Sequence, residues 1–165
     1  MRFDAHEIAP GLWMGSQPPV GHQLAARGFD IVVLCAVEYQ PGAEWFPGVS
    51  VARITLDDAR LSGGDALKSF TLGSEIAKEI KNGKTALVTC RQGRNRSGLV
   101  TALTLTQLTG CSGLSACMAI MTRRRSPFGP VLSNESFVNA LSEIPEMGVT
   151  GPVTEHAARA ARLAG

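Results

Sequence analysis

Cys90 and Arg96 stand six positions apart in Cys90-Arg91-Gln92-Gly93-Arg94-Asn95-Arg96-Ser97, a stretch that sets one thiol among three arginines. A cysteine surrounded by that much positive charge is placed to act as a thiolate, the form in which sulfur is a nucleophile. Arg96 offers a planar fork that grips two oxygens of a phosphate at once. Gly93 sits mid-loop, and Ser97 follows Arg96 where a helix begins. Loop N–H groups and a helix N-terminus then converge on one point and favour negative charge there. The same field binds a phosphate and activates the thiol that attacks it. The Cys-x5-Arg spacing alone carries little information; the apolar run before Cys90 and the helix after Arg96 give it meaning.

Such a cradle needs a strand to deliver Cys90 and a helix to receive Ser97. "KTALVTC" reads as a buried strand and "RSGLVTALTLTQLTG" as an apolar helix. Upstream, "IAPGLWMGS" reads as a hairpin turning at Pro10-Gly11, and "GHQLAARGFD" as a short helix closed by Gly28. "DIVVLCA" has the β-branched run of a strand buried on both faces, and "VSVARITL" reads as a strand running into Asp57-Asp58. Leu67, Phe70, Ile76 and Ile80 recur at helical spacing in a segment ending at Asn82-Gly83. "SGLSACMAIMTRRR" predicts a further helix, with Arg123 and Arg124 as its solvated end. "SNESFVNALSEI" predicts a last amphipathic helix capped by Ser133 or Asn134. Cys111 and Cys117 fall on apolar helical faces, as core positions. Strands alternating with helices predict an α/β architecture with a largely parallel sheet. A chain of 165 residues suits one domain. It is placed over residues 1–145, with 146–165 as a linker and short tail.

Other chemistries fail on spacing. Gly83-Lys84-Thr85 lacks the earlier glycine of a phosphate-binding P-loop, since Lys78 stands there. There is no GxGxxG, Ser97 is not flanked as in a GxSxG elbow, and the histidines are isolated, so neither a metal nor a cofactor is assigned. A net charge of +2 is too small for a general nucleic-acid binder, and no stable nucleic-acid binding is expected. No apolar run is long enough to span a bilayer, no signal segment opens the chain, and the four cysteines have no paired spacing. A cytoplasmic protein with free thiols is therefore expected.

"CRQGRNRS" resembles the active-site loop of the cysteine-dependent protein tyrosine phosphatases, in the form C-x-x-G-x-x-R-[ST]. The hairpin "IAPGLWMGS", the segment "ITLDDARLSGG" and the stretch "RRRSPFGPVLSNESFVNAL" are similar to parts of the compact dual-specificity branch, over about residues 6–143. The resemblance implies a single α/β domain with a twisted, largely parallel sheet of about five strands flanked by helices. It implies Cys90 as nucleophile, with the Arg96 side chain and the loop amides of residues 91–96, from Arg91, Gln92, Gly93, Arg94 and Asn95 to Arg96 itself, holding the phosphoryl oxygens. Asp58 is implied as general acid, being better spaced from Cys90 than Asp57, and Ser97 as a donor to the departing thiolate. Thr89 stands where the family usually has His, and its hydroxyl is expected to support the loop by a weaker hydrogen bond.

The implied substrates are phosphotyrosine and phosphoserine/threonine of proteins. Arg91 and Arg94 exceed what the mechanism needs, and Arg125 lies near where relatives hold a second phosphate. A polyanionic alternative therefore stays open: a phosphoinositide, an inositol polyphosphate or an RNA 5′-triphosphate. Cys35, in "LCA", matches a position where one lipid-phosphatase branch forms a disulfide with its nucleophile, so a Cys35–Cys90 link is expected on oxidation. A non-catalytic phospho-binding module and a rhodanese-like sulfurtransferase also use such a loop. Neither needs Asp58.

Overall fold

The computed structural model describes residues 3–147. Alternation along two strands organises the molecule. In β3 (Ile31–Leu34) and β5 (Ala86–Thr89) every side chain is buried, as strands covered on both faces require. Ile31, Val33, Ala86 and Val88 pack into the larger core, under the helices. Val32, Leu34 and Leu87 enter a smaller core with Leu24, Phe29 and Phe46 on the opposite face. The two-residue period carries past the strand ends, so Cys35 and Cys90 both return to the larger core.

The five-stranded sheet runs in the order β1-β2-β5-β3-β4. β1 (Ala5–Ala9) and β2 (Leu12–Gly15) form the expected hairpin, the only antiparallel pair between named strands; β2, β5, β3 and β4 (Ser50–Arg53) are parallel. β4 stops sooner than the alternation of "VSVARITL" predicts. After Arg53 the chain keeps only one bridge, between Thr55 and Ala36, and turns toward the site with Asp57 and Asp58 in open loop.

α1 (Gln23–Ala26) is short. α2 (Gly63–Lys81) buries Phe70 and Ile76, but Leu67 is 45% exposed and belongs to the solvent face. α3 (Arg96–Thr109) is buried all round for its first eleven residues, as a helix enclosed by a core must be. It crosses α2 at Gly73, where a Cβ would lie 3.1 Å from the Leu103 Cβ. α4 (Gly113–Arg123) and α5 (Glu135–Ser142) complete the layer, and Asn134 caps α5 by accepting from the Phe137 amide. Cys117 is in the core, but Cys111 lies between α3 and α4 and is only half-buried. No single helix among the described residues is long and apolar enough to cross a membrane. The expected linker and tail begin at residue 146; all but 146–147 lie outside the described residues.

Candidate active site

The carboxyl ends of β3 and β5 deliver the loop. Leu34 is in register with Thr89, so Cys35 and Cys90 leave the sheet side by side, and the Cys35 amide donates to the Thr89 carbonyl at 2.8 Å. Cys90 is only 3% exposed, and its sulfur lies 3.2 Å from Ser97 Oγ in the first turn of α3.

Between them, four consecutive carbonyls are held from outside. Arg91 O accepts from the Gln17 amide at 3.4 Å, Gln92 O from Ser126 Oγ at 3.1 Å, Gly93 O from Arg124 Nε at 3.1 Å, and Arg94 O from the Leu132 amide at 3.3 Å. In a trans peptide the N–H points opposite to the carbonyl before it. Pulling carbonyls 91–94 outward therefore turns the amides of residues 92–95 inward. No acceptor among the described residues takes any of them. Gly93 is needed for this path: its φ is +62°, and a Cβ would lie 2.5 Å from the carbonyl of Gly15 and from Arg124 Nη2.

Arg96 is 7% exposed, and a buried guanidinium needs partners. Nη1 donates to the Glu38 carboxylate and, at 3.2 Å, to the Leu56 carbonyl, while the Tyr39 ring lies 5.6 Å from the guanidinium carbon. Nε is buried with no acceptor among the described residues. One edge of the fork is thus anchored and another donor is left for an anion.

Asp58 is the aspartate tied to the loop. Its Oδ2 accepts from Asn95 Nδ2 at 3.1 Å and its Oδ1 from Asn134 Nδ2 at 3.0 Å. Asn95 leaves its own helix uncapped because its side chain works across the site instead. Its Oδ1 accepts from the amides of Ser133 and Asn134. The loop, the segment carrying Asp58 and the start of α5 are joined through this one side chain. Asp57 makes no side-chain hydrogen bond among the described residues.

The remaining arginines divide. Arg94 is turned away from the loop centre: Nε donates to Pro130 O at 2.7 Å, Nη2 to Ser133 Oγ at 3.0 Å and Nη1 to Gln92 Oε1 at 3.4 Å. Arg91 is exposed and stacks on Tyr39, 4.5 Å from the ring centroid. The Arg125 side chain is exposed and has no hydrogen bond to the loop among the described residues.

Arg124 corrects the expectation of a solvated helix end. It is 2% exposed. Besides Gly93, it meets Asp4 through both carboxylate oxygens, at 2.6 and 2.7 Å, and His6 Nδ1 at 2.9 Å. Burial alone would raise the Asp4 carboxyl, but the Arg124 hydrogen bonds prevail and hold it below its ordinary value. Burial and the Arg124 charge push His6 down, as suits a neutral ring whose Nδ1 accepts.

Thr89 also differs from expectation. Its hydroxyl donates to Val33 O and accepts from Gln40 Nε2, both at 2.9 Å, rather than reaching the loop. Gln40 in turn accepts from the Ala36 amide at 2.8 Å. Thr89 thereby pins the turn carrying Glu38 and Tyr39, and acts on Arg96 through them. Sequence reasoning missed Glu38, Tyr39, Gln40, Arg124 and Asn134 as parts of the site, because each acts by a contact distant along the chain.

Cys35 is fully buried, and burial, reinforced by the nearby Cys90, pushes its thiol well up. All four cysteines are free. Among the described residues no cluster of His, Cys, Asp and Glu is arranged to hold a metal.

No family model and no curated protein matches this chain. Solved structures do. Human DUSP28 is 25% identical, with a TM-score of 0.69, over 87% of this chain and 95% of that one. Tk-PTP, in its active form, is 25% identical, with a TM-score of 0.66, over 87% and 99%. PTPMT1, in complex with PI(5)P, is 20% identical, with a TM-score of 0.70, over 95% and 99%.

Proposed function

We infer that this chain, which shares the fold of the cysteine-dependent protein tyrosine and dual-specificity phosphatases, is itself a phosphatase working through a phosphocysteine. We assign it phosphotyrosine and phosphoserine/threonine of proteins as substrates. The observation that carries the reading is that carbonyls 91–94, between Cys90 and the start of α3, are all held from outside, which turns amides 92–95 inward beside a buried and unpartnered Arg96 Nε. Preorganised donors of this kind stabilise charge spread over the equatorial oxygens of a loose phosphoryl transition state, and need no metal to do so.

In the first step the Cys90 sulfur bonds to phosphorus as the ester P–O bond breaks, and Asp58 gives its proton to the leaving oxygen. In the second, the Asp58 carboxylate takes a proton from water, whose oxygen attacks phosphorus. The S–P bond breaks, inorganic phosphate forms, and Ser97 donates to the departing sulfur. Asp58 must release one of its two asparagine donors to reach the ester oxygen. Its place in open loop permits that movement. A thiol nucleophile works best in a reducing compartment, in keeping with a cytoplasmic location.

Protein substrates are favoured over polyanions because the extra arginines do not converge on the loop centre. Arg94 is spent on Pro130 O, Ser133 Oγ and Gln92 Oε1, Arg125 has no hydrogen bond to the loop among the described residues, and Arg91 lies over Tyr39 on the exposed side. The polyanion reading keeps one support, the fold shared with PTPMT1, whose structure holds PI(5)P.

The test is metal-free hydrolysis of an aryl phosphate, with acid-quenched enzyme analysed for one added phosphoryl group on Cys90. Cys90→Ser should abolish both. Phosphate binding without turnover would support a binding module instead, and sulfur transfer from thiosulfate a rhodanese-like enzyme. A panel of phosphopeptides, phosphoinositides and nucleoside triphosphates at fixed ionic strength then separates the substrate classes.

A further inference from the structure

A groove of about 900 Å³ opens directly beside the loop, and Arg91 and Gln92 belong to both. Its apolar lining is Phe3, Pro18, Pro19, Val20, Pro127 and Phe128. The size is that of a ligand site rather than a surface dent. Both walls are hydrogen-bonded to the loop itself. The Gln17 amide, just before the two prolines, donates to Arg91 O at 3.4 Å. Ser126, which donates to Gln92 O, also accepts from the Phe128 amide at 3.2 Å. Pro18 and Pro19 have fixed φ and no N–H, so that wall is stiff and leaves no backbone donor facing an apolar guest. The groove is therefore built in register with the cradle.

Its charge comes from two elements. Arg91 belongs to the loop. Arg27 lines the groove among residues of the α1 end, with its guanidinium carbon 4.7 Å from the centroid of the Phe3 ring. Neither arginine has an acidic partner among the described residues, whereas Asp4, the one carboxylate in the lining, is taken by Arg124. Ser16, Gln17, Gln23 and Gln92 interrupt the apolar surface.

Resting on the phosphatase reading above, we propose that this groove binds the polypeptide flanking the phosphorylated residue. It reads an apolar residue near the phosphoresidue, against the prolines and Phe128, and an acidic residue farther along, at Arg27. An extended peptide alternates side chains with backbone amides, and so answers the scattered glutamines as well as the apolar lining. An acyl chain would leave those amides unpaired, at a cost. A compact polyphosphate finds no donors along the prolines.

The experiment measures kcat/KM on a phosphotyrosine peptide series, on phosphoinositide vesicles and on an aryl phosphate, for the native protein, Arg27→Glu and Phe128→Ala, with melting temperature as a folding control. The series moves one Glu, or one Lys, through the flanking positions. The native protein should prefer Glu at a defined distance. Arg27→Glu should lower the Glu-peptide to aryl-phosphate ratio about five- to tenfold and prefer Lys at the same position. Phe128→Ala should weaken peptides whatever their charge. Flat profiles, or an unmoved ratio in Arg27→Glu, overturn the groove assignment. So does a loss confined to phosphoinositide vesicles, which would assign the groove to lipid. If the native protein does not hydrolyse the aryl phosphate, the catalytic reading fails separately. The groove is then decided by anisotropy of the same labelled phosphopeptides binding to native protein and Arg27→Glu, where equal affinities overturn it.

Discussion

Arg124 Nε donates to the carbonyl of Gly93 at 3.1 Å, across 31 residues of chain, while the rest of its guanidinium is held by Asp4 and His6. The end of α4, the opening hairpin and the apex of the loop thus meet on one buried cation. Gly93 sits at the loop's most constrained point, so the orientation of the Gly93–Arg94 peptide, and hence of one inward amide, depends on this fork.

Arg124→Met removes the fork and leaves the Asp4 carboxylate without its cation, at 20% side-chain exposure. Loss of one partner of a largely buried pair should cost about 2–4 kcal/mol in urea unfolding. Arg124→Lys keeps a charge but cannot reach Gly93, Asp4 and His6 together. It should be milder in stability while still lowering kcat on an aryl phosphate about tenfold, about 1.4 kcal/mol of transition-state binding. Native kcat in a destabilised Arg124→Lys would show that the fork holds the fold and not the loop.

The same network makes stability fall with acid. His6 is depressed below its ordinary 6.5 in the folded chain. The unfolded chain therefore takes up this proton first as pH drops through that value, and stability declines until the folded ring titrates too. Asp4 is also depressed, so its contribution is present above the ordinary 3.8 and lost below it, as pH falls through the folded value. His6→Asn keeps an acceptor near Nδ1 but cannot titrate. Melting temperature against pH should be flatter for His6→Asn just below 6.5, with the steeper loss near pH 4 retained. Parallel curves for native and variant would remove His6 from the account.

Asp57 and Asp58 are neighbours in sequence and unlike in place. Only Asp58 reaches Asn95 and Asn134. Asp58→Asn should lower kcat on a poor leaving group by about 10²–10⁴, with a much smaller effect of Asp57→Asn. A good leaving group needs no proton, so the Asp58→Asn deficit should shrink on a nitrophenyl ester. The reverse ordering of the two variants would move the acid to Asp57.

The loop and its flanking elements were legible because they are local: an apolar run, a thiol, a glycine, an arginine and a helix start follow one another without interruption. The sheet followed from the same logic, since β3 and β5 announce double-sided burial in their composition. What was not legible is how the site is braced. Arg123, Arg124 and Arg125 are identical as letters, and only the packing of α4 against β1 selects the middle one for burial. Thr89 stands where the resembled phosphatases usually have His, yet its partner Gln40 lies 49 residues away. Leu67 shares the helical spacing of Phe70 and Ile76 and yet faces solvent, because an apolar letter at helical spacing need not face the core.

Cys35 and Cys90, adjacent at the ends of paired strands, give the last prediction. Cys35 is held as a thiol by burial and by its neighbour, so oxidation begins at Cys90. Peroxide oxidises the Cys90 sulfur to a sulfenic acid, with release of water. The Cys35 sulfur then attacks it, forming the disulfide and releasing water. Non-reducing peptide mapping should find Cys35 joined to Cys90 after brief peroxide treatment, with activity restored by dithiothreitol. In Cys35→Ser the sulfenic acid lacks a resolving thiol and goes on to sulfinic acid, so recovery should fall severalfold at equal peroxide dose. Equal recovery in Cys35→Ser, or a Cys90 disulfide to another residue, would make Cys35 a packing residue only.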